Sequence, residues 1–268
     1  MTEGYNVIAS VYDRLNAEID YAKWADFVEE AFDKFLPNRP EIVLDLACGT
    51  GSMTRELAMR GYDMIGADGS AEMLSVAADR AYINVGTDDE TRLPILYLHQ
   101  DMRSFELYGT VDAVVSSLDS INHLSEHGEL ERTFALVHNY LNPDGLFLFD
   151  VNGKHKFETV YAENTYAMEE GKYFCVWENR YNPRSHLCDF YITVFERQKD
   201  GRYLRHEDVQ RERMFPERAL TRALETAGFE VLAAVSDFDF TPATDESDRI
   251  FIAARCKKPV PEEERDKG

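Results

Sequence analysis

The chain has 268 residues, of which 50 are acidic and 29 basic, so its formal net charge is −21. A hydrophobic share of 44% is ordinary for a globular protein and excludes wholesale disorder. The length suits one large domain or one domain with an insert, and so acidic a surface disfavours nucleic acid as a partner, because phosphate backbones are bound through basic patches.

Several classes of protein and site are also excluded by the sequence. No apolar run of about 18 residues is present that would span a membrane, and MTEGYNVIASVYDRL at the start lacks the basic and apolar regions of a signal peptide. The cysteines form no C-x-x-C pair, and the histidines show no ligand spacing, so neither a metal site nor a disulfide framework is predicted. We therefore expect a cytoplasmic protein with reduced thiols, either a monomer or a homodimer.

The first forty residues have the apolar spacing of two helices. The first is VIASVYDRL, residues 7–15. The second, YAKWADFVEEAFDKFL, is expected to follow a capping Asp20 and carries one apolar stripe. It should end near Pro37.

From residue 41 onward, short apolar strands alternate with helices. The predicted strands are EIVLDL, DMIGA, PILYLH, VDAVVSSL and LFLFDV. Helices are expected after Gly51, after a capping Ser70 and from Ser125, the last one ending before a turn at residues 142–145. Nearly all-apolar strands that alternate with helices are typical of a parallel sheet covered on both faces.

The composition changes after Asn152. Residues rich in Tyr, Phe, Val and Thr are interrupted by hairpin signals at 170–171, 182–183 and 200–201, which predicts an antiparallel insert of three or four strands. A helix, PERALTRALETAG, and two closing strands, FEVLAAVSDF and DRIFIAARC, follow. We predict a domain of residues 1–155 and 212–256, with 1–40 as a helical lid, a substrate-side insert at 156–211 and a flexible tail at 257–268.

The stretch VLDLACGTG, residues 43–51, lies between a predicted buried strand and a helix, which is the setting of a nucleotide-binding loop. Gly49 and Gly51 let a ligand approach the backbone, and the helix N-terminus attracts a carboxylate or a phosphate. Asp45 is an acid inside an apolar strand, where burial is costly unless it meets a donor such as a ligand ammonium group.

Further candidate ligand contacts follow the next strands. Asp68 ends the second strand, where a carboxylate can accept both hydroxyls of a ribose. Asp101 follows the third strand and can accept from an adenine amino group. Met73 and Met102 offer soft apolar faces for the ring, and Leu118 would cover its other side.

In chain order, DLACGTG, GADGSAEML, HQDM, VSSLDSINHL and LNPDGLFLFDVN resemble the class I S-adenosylmethionine-dependent methyltransferases over most of residues 41–152. The resemblance implies a Rossmann-like α/β fold: a seven-stranded, mostly parallel sheet with helices on both faces, plus an antiparallel β insert and N-terminal helices. It implies S-adenosyl-L-methionine as methyl donor, S-adenosyl-L-homocysteine as product and no metal. The residues it assigns to the donor site include Asp45, Ala47, Gly49 and Gly51 at the methionine end, Asp68 at the ribose, Asp101 and Met102 at the adenine, and also Gly69 and Met73.

The N-terminal helices and the insert resemble a subgroup of small bacterial enzymes, the amino-sugar N,N-dimethyltransferases and, more remotely, glycine N-methyltransferase. In that subgroup a helix with a Tyr-Asp pair, here Tyr12-Asp13, closes over the donor, so Tyr12, Tyr21 and Trp24 are candidate lid residues. The turn after the fourth strand, residues 119–123, faces the acceptor there. We expect in-line methyl transfer to a small molecule, an amine ahead of a hydroxyl, with His123 and Tyr12 as candidate catalytic residues.

Alternatives stay open at this point. A dinucleotide oxidoreductase would need G-x-G-x-x-G or a closing Ala, but this loop continues to Thr54 without a third small residue. His123 is either a general base for an amine or a histidine satisfied within its loop. An RNA- or protein-modifying methyltransferase and a non-catalytic donor-binding protein are the alternative functions. The sugar enzymes recognise a nucleotide diphosphate, for which we identify no matching basic residues.

Overall fold

The computed structural model describes residues 18–84 and 90–258, which begin just before helix α1 (Tyr21–Phe35). The predicted cap is confirmed, since the Asp20 carboxylate accepts a 3.1 Å hydrogen bond from the Lys23 amide. The predicted apolar stripe is buried; its buried members are Trp24, Phe27, Val28, Ala31 and Phe32. The helix expected at residues 7–15 lies outside the described residues.

The other elements of the described chain follow the predicted alternation. The helices are α2 (Ser52–Met59), α3 (Ala71–Arg80), α4 (Glu129–Tyr140) and α5 (Glu217–Ala227). The first seven strands are β1 (Ile42–Leu46), β2 (Asp63–Asp68), β3 (Tyr82–Asn84), β4 (Glu90–Arg92), β5 (Ile95–His99), β6 (Val111–Ser116) and β7 (Leu141–Asn152). The later strands are β8 (Thr165–Glu170), β9 (Tyr173–Asn182), β10 (Leu187–Arg197), β11 (Tyr203–Arg213), β12 (Phe229–Val235) and β13 (Arg249–Cys256). A 3₁₀ helix spans Ser120–His123 and a π-helix spans Lys156–Tyr161.

The main sheet has seven strands in the order β12-β13-β7-β6-β1-β2-β5. The strands β5, β2, β1, β6 and β7 are parallel, whereas β13 is antiparallel to both of its neighbours. This arrangement confirms the predicted fold class. Because the chain leaves β1 toward β2 on one side and β6 lies on the other, the carboxyl end of β1 is the point where open α/β sheets bind ligands.

Helices cover both faces of this sheet. Alternate residues of a strand point to opposite faces, so Leu44 and Leu46 pack in a cluster with Phe134 of α4 and Leu220 of α5. Val43 packs on the other side with residues of α1 and α2. None of the helices in the described ranges combines the length and the apolar character needed to cross a membrane.

The insert contains a four-stranded antiparallel sheet in the order β11-β10-β9-β8, and the predicted hairpin signals lie between its strands. Its inner end packs against the π-helix: Phe157 forms an apolar cluster with Cys188, Phe190 and Met214. The insert therefore sits against the chain segment that follows β7.

Three details differ from the predictions. The helix expected from Ser125 begins at Glu129, because the Glu129 carboxylate accepts a 3.0 Å hydrogen bond from the Glu126 amide and Gly128 takes a φ of +79°. The turn expected at residues 142–145 is an irregular part of β7, with Asp144 at a φ of +60°. The hairpin of β3 and β4 was not predicted.

Candidate active site

The loop between β1 and α2 forms the floor of the candidate donor site. Ala47, Gly49 and Gly51 have left-handed φ angles of +62°, +55° and +73°. A Cβ added at Gly49 would meet no atom within 4 Å, whereas one at Gly51 would lie 2.5 Å from the Tyr97 hydroxyl oxygen. Gly49 therefore leaves space for a ligand, while Gly51 is required by the packing beneath the loop.

Asp68, at the carboxyl end of β2, holds this loop in place. Its two oxygens accept 2.8 Å hydrogen bonds from the amides of Gly49 and Ser70. Burial raises the pKa of Asp68, and these two hydrogen bonds oppose that shift. Each oxygen keeps a further lone pair, so the same carboxylate can accept hydrogen bonds from ligand hydroxyl groups.

Asp45 is the buried acid that the sequence indicated. The residue is 1% exposed and accepts a 2.5 Å hydrogen bond from the Thr54 hydroxyl. Burial raises the pKa of Asp45 to about 7, and the nearby Asp68 carboxylate adds to that rise. A cationic group bound next to Asp45 would favour its ionised form.

A pocket opens over this loop and contains part of the predicted donor site. Its lining residues are Tyr21, Asp45, Ala47, Cys48, Gly49, Thr50, Ser52, Met53, Ser117, Leu118 and Ser120. The predicted donor residues did not include Cys48, Thr50, Ser52, Met53 or Ser117, and Ser120 was predicted only as part of the acceptor-facing turn at residues 119–123. Their positions in the sequence could have indicated them, because they follow the ends of β1 and β6, as the predicted residues of this pocket also do.

Besides Trp24, Gly51 and Asp68, four more predicted donor residues lie outside the lining of this pocket. Asp101 accepts hydrogen bonds from the backbone and side chain of Arg103 at 2.8 and 2.7 Å, and these bonds lower its pKa. Met102 packs against the apolar cluster under α4. The Gly69 carbonyl accepts a 3.0 Å hydrogen bond from His99, and the Met73 amide donates to the Ser70 hydroxyl at 3.2 Å, which confirms the predicted cap of α3. Their contacts with a donor stay predictions.

The predicted lid residues Tyr21 and Trp24 lie in different surroundings in the structure. Tyr21, at the start of α1, lines the pocket. Trp24 is 8% exposed and packs against the rings of Phe238 and Phe251 at 5.4 and 5.2 Å. Its expected place in the lid is therefore corrected, because the face of α1 that carries Trp24 is buried in the core. Tyr12 lies outside the described residues.

The turn after β6 carries His123 to the side of the pocket that faces the insert. Leu118 and Asp119 have φ angles of +59° and +56°, and the 3₁₀ helix starts directly after them. The His123 side chain is exposed. Desolvation by the surrounding protein atoms lowers the pKa of His123, while the carboxylates of Asp119 and Asp68 oppose that shift. A neutral imidazole of this kind can accept a proton.

Two carboxylates approach His123 from different parts of the fold. One ring nitrogen of His123 and one carboxylate oxygen each of Asp119 and Glu212 all lie within 4.8 Å of one another. Glu212 comes from β11 of the insert and is 5% exposed. The sequence analysis missed Glu212, and no local signal marks it, because it lies in a strand of mixed polar residues far from the turn in the chain.

Comparison with known proteins relates this chain to methyltransferases. A family model described as a methyltransferase domain matches residues 16–234. The putative methyltransferase YqeM of Bacillus subtilis (strain 168) is 32% identical over 257 residues, which cover 96% of this chain and 98% of that protein. The dTDP-3-amino-3,4,6-trideoxy-alpha-D-glucopyranose N,N-dimethyltransferase of Streptomyces venezuelae is 32% identical over 145 residues, 53% of this chain and 56% of that protein.

A solved structure extends the relationship to nearly the whole fold. The S-adenosylmethionine-dependent methyltransferase from Clostridium acetobutylicum ATCC 824 has a TM-score of 0.81 at 28% identity, and the match covers 95% of this chain and 99% of that one. The open space at Gly49 and the spare lone pairs of Asp68 fit such a donor. The chain belongs to the methyltransferase family and is an S-adenosylmethionine-dependent methyltransferase.

Proposed function

We propose that this enzyme transfers the methyl group of S-adenosyl-L-methionine to the nitrogen of a small-molecule amine. The observation that carries the proposal is the position of His123, whose exposed ring stands on the turn that begins at the pocket-lining Leu118 and Ser120. A group able to take a proton thus lies beside the candidate donor pocket. The relative from Streptomyces venezuelae is named for N,N-dimethylation of an amino sugar, which supports a nitrogen acceptor.

The donor contacts follow from the loop geometry. Ionised Asp45 would meet the ammonium group of the donor, and the open backbone at Gly49 would lie against its methionine end. Asp68 would accept the ribose hydroxyls. Asp101 and Met102 would hold the adenine.

Methyl transfer requires alignment of the donor with the acceptor more than chemical activation of the donor. Bound S-adenosyl-L-methionine supplies a methyl group on a positively charged sulfur, which is already a good electrophile. The pocket residues would fix the direction of that methyl group, and the turn at Ser120–His123 would hold the acceptor opposite it. The acceptor nitrogen must be neutral to attack, so a protein group must hold its proton.

The test uses the full chain with tritium-labelled methyl donor and three acceptor sets: small amines that include glycine, sarcosine and amino sugars; the matching hydroxyl compounds without the amine; and total RNA and protein. Label is expected in the amine set, together with an equal amount of S-adenosyl-L-homocysteine. Label confined to the hydroxyl compounds or to macromolecules would contradict the proposal. Donor binding without label in any set would favour a non-catalytic protein.

A further inference from the structure

A polar network joins the insert to the turn that carries His123. Asn152, the last residue of β7, donates from its side chain to the Tyr161 hydroxyl at 2.9 Å and to the Glu212 carboxylate at 3.3 Å. The Lys156 ammonium group donates to the Asn152 side-chain oxygen at 2.9 Å. The Asn152 amide donates to the Asn122 side chain at 2.8 Å. Glu212 is therefore held by Asn152, which is itself bonded to the turn through Asn122.

The charges around this network do not cancel. Arg249 forms ion pairs with Asp119 and Asp150, and Lys156 is the second cation that acts on Asp119 and Glu212. Three carboxylates thus face two cationic side chains, and Asp150 and Glu212 are only 1% and 5% exposed. Burial raises the pKa of Glu212 well above its usual range. A proton or one further positive charge is needed to neutralise the group.

The sheet face that carries Glu212 also presents polar atoms without partners. The strand register places Cys188 between Glu212 and Tyr181, so these side chains share a face. Trp177, Asn179 and Tyr181 alternate along β9 and share that face too. On the described chain, the indole nitrogen of Trp177, the side-chain oxygen of Asn179 and the hydroxyl of Tyr181 are buried without a hydrogen-bond partner. Since buried polar atoms are normally hydrogen-bonded, to protein or to ordered water, these three atoms mark unfilled hydrogen-bonding capacity on the face that carries Glu212.

We propose that Glu212 binds the ammonium group of the methyl acceptor and takes its proton, and that the acceptor is a small monocationic amine without a nucleotide diphosphate. The inference rests on the proposed function. A monocation matches the one uncompensated negative charge, whereas a divalent metal would exceed it. The described cations nearby already have partners: Lys156 also lies 5.2 Å from the Tyr161 ring centre, and Arg213 donates to the Ser125 carbonyl at 2.5 Å.

The proposed step balances in protons and electrons. One proton moves from the ammonium nitrogen to a Glu212 oxygen and leaves a neutral amine with a lone pair. That lone pair forms the new N–C bond as the donor's S–C bond breaks, and the electron pair of the broken bond stays on sulfur. The methylated nitrogen then carries the positive charge. Glu212 releases its proton to solvent through the exposed ring of His123, which lies within 4.8 Å.

The test is a nuclear magnetic resonance titration of the full chain, labelled with carbon-13 at its glutamate carboxyl groups and saturated with S-adenosyl-L-homocysteine. Glu212→Gln identifies the Glu212 signal, and Glu212→Asp serves if that variant does not fold. Glu212 should titrate well above the other glutamates, because it is buried. Excess methylammonium chloride should lower this midpoint by about half a pH unit or more relative to equal potassium chloride, because a bound cation favours the carboxylate.

The matched control is Glu207→Gln, which removes an exposed carboxylate from the opposite face of β11 and should leave the response to methylammonium unchanged. Glu212→Gln should also slow transfer to any amine labelled by the enzyme about 100-fold, with unchanged donor affinity. A Glu212 signal that titrates with the ordinary glutamates, or ignores methylammonium, overturns this inference even if amines are methylated. Failure to bind the donor, or to label any amine, overturns the proposed function instead.

Discussion

The guanidinium group of Arg249 on β13 donates a 2.8 Å hydrogen bond to the carboxylate of Asp119 at the start of the turn after β6. Because β13 runs antiparallel to β7, its first residue lies at the carboxyl edge of the parallel strands, opposite Asn152. Arg249 also pairs with buried Asp150 and stacks 5.3 Å from the centre of the Trp24 ring. One side chain thus connects α1, the main sheet and the turn that carries His123.

Arg249→Met should destabilise the fold strongly. The substitution leaves the carboxylate of Asp150, which is 1% exposed, without its cation, and loss of one partner from a buried pair costs about 3–5 kcal/mol. The comparison variant is Arg202→Met, whose side chain is 85% exposed and pairs with Asp200 at the surface. That change should cost less than about 1 kcal/mol. Urea unfolding measures both free energies, and equal losses would disprove a special role for Arg249.

Asp68→Ala should lower the affinity for S-adenosyl-L-methionine at least about tenfold, or about 1.4 kcal/mol. The carboxylate is the proposed ribose acceptor, and it also holds the donor loop through the Gly49 amide at 2.8 Å. Asp63→Ala, at the exposed opposite end of β2, should bind the donor normally. Isothermal titration calorimetry gives both constants; unchanged binding by Asp68→Ala would refute the assignment.

Changing the two loop glycines to alanine should impair different properties of the protein: stability at Gly51 and donor binding at Gly49. At Gly51 a Cβ would lie 2.5 Å from the Tyr97 hydroxyl oxygen and 2.8 Å from the Ala77 Cβ, so overpacking should cost about 1–3 kcal/mol of stability. At Gly49 the Cβ meets open space, so the cost should be about 1 kcal/mol from the left-handed backbone alone. Its methyl group would instead enter the donor site and weaken binding. Thermal unfolding and calorimetry on both variants test this contrast, and the reverse order would contradict it.

The raised pKa of Asp45 predicts that the folding stability depends on pH. Burial raises its pKa from 3.8 to about 7 in the folded chain, so between these values the folded chain holds a proton that the unfolded chain has lost. This contribution is complete below about pH 4 and is lost as the pH rises to about 7. Relative to Asp45→Asn, which does not titrate, the native protein should lose on the order of 2–4 kcal/mol over this range. Denaturant unfolding at several pH values measures the difference; a constant difference would argue that Asp45 is not buried.

His123→Ala should slow methyl transfer without weakening donor binding, because His123 stands on the turn proposed to face the acceptor and does not line the donor pocket. A residue that moves a proton contributes about 100-fold or more to the rate. His127→Ala removes an exposed histidine a few residues later and should have no effect. Initial rates with an amine labelled in the screen, together with calorimetry for the donor, separate the two roles. Equal turnover in both variants would remove His123 from the mechanism.

Sequence alone predicted the features that depend on neighbouring residues. The caps at Asp20 and Ser70, the alternation of apolar strands and helices, and the loop around Gly49 all follow from short-range spacing, and the structure confirms them. The edge of the sheet at which β1 and β2 end was also predictable, because parallel strands bring their carboxyl ends together.

Tertiary structure decided which side chains from distant segments meet. Tyr21 and Trp24 lie on one helix, yet only the packing of α1 shows that the first lines the pocket while the second is buried. Glu212 meets Asn152, 60 positions away in the chain, and Arg249 meets Asp119, 130 positions away. Periodicity within an element fixes which residues share a face, but the partner of that face depends on how distant segments pack, and no local pattern encodes that choice.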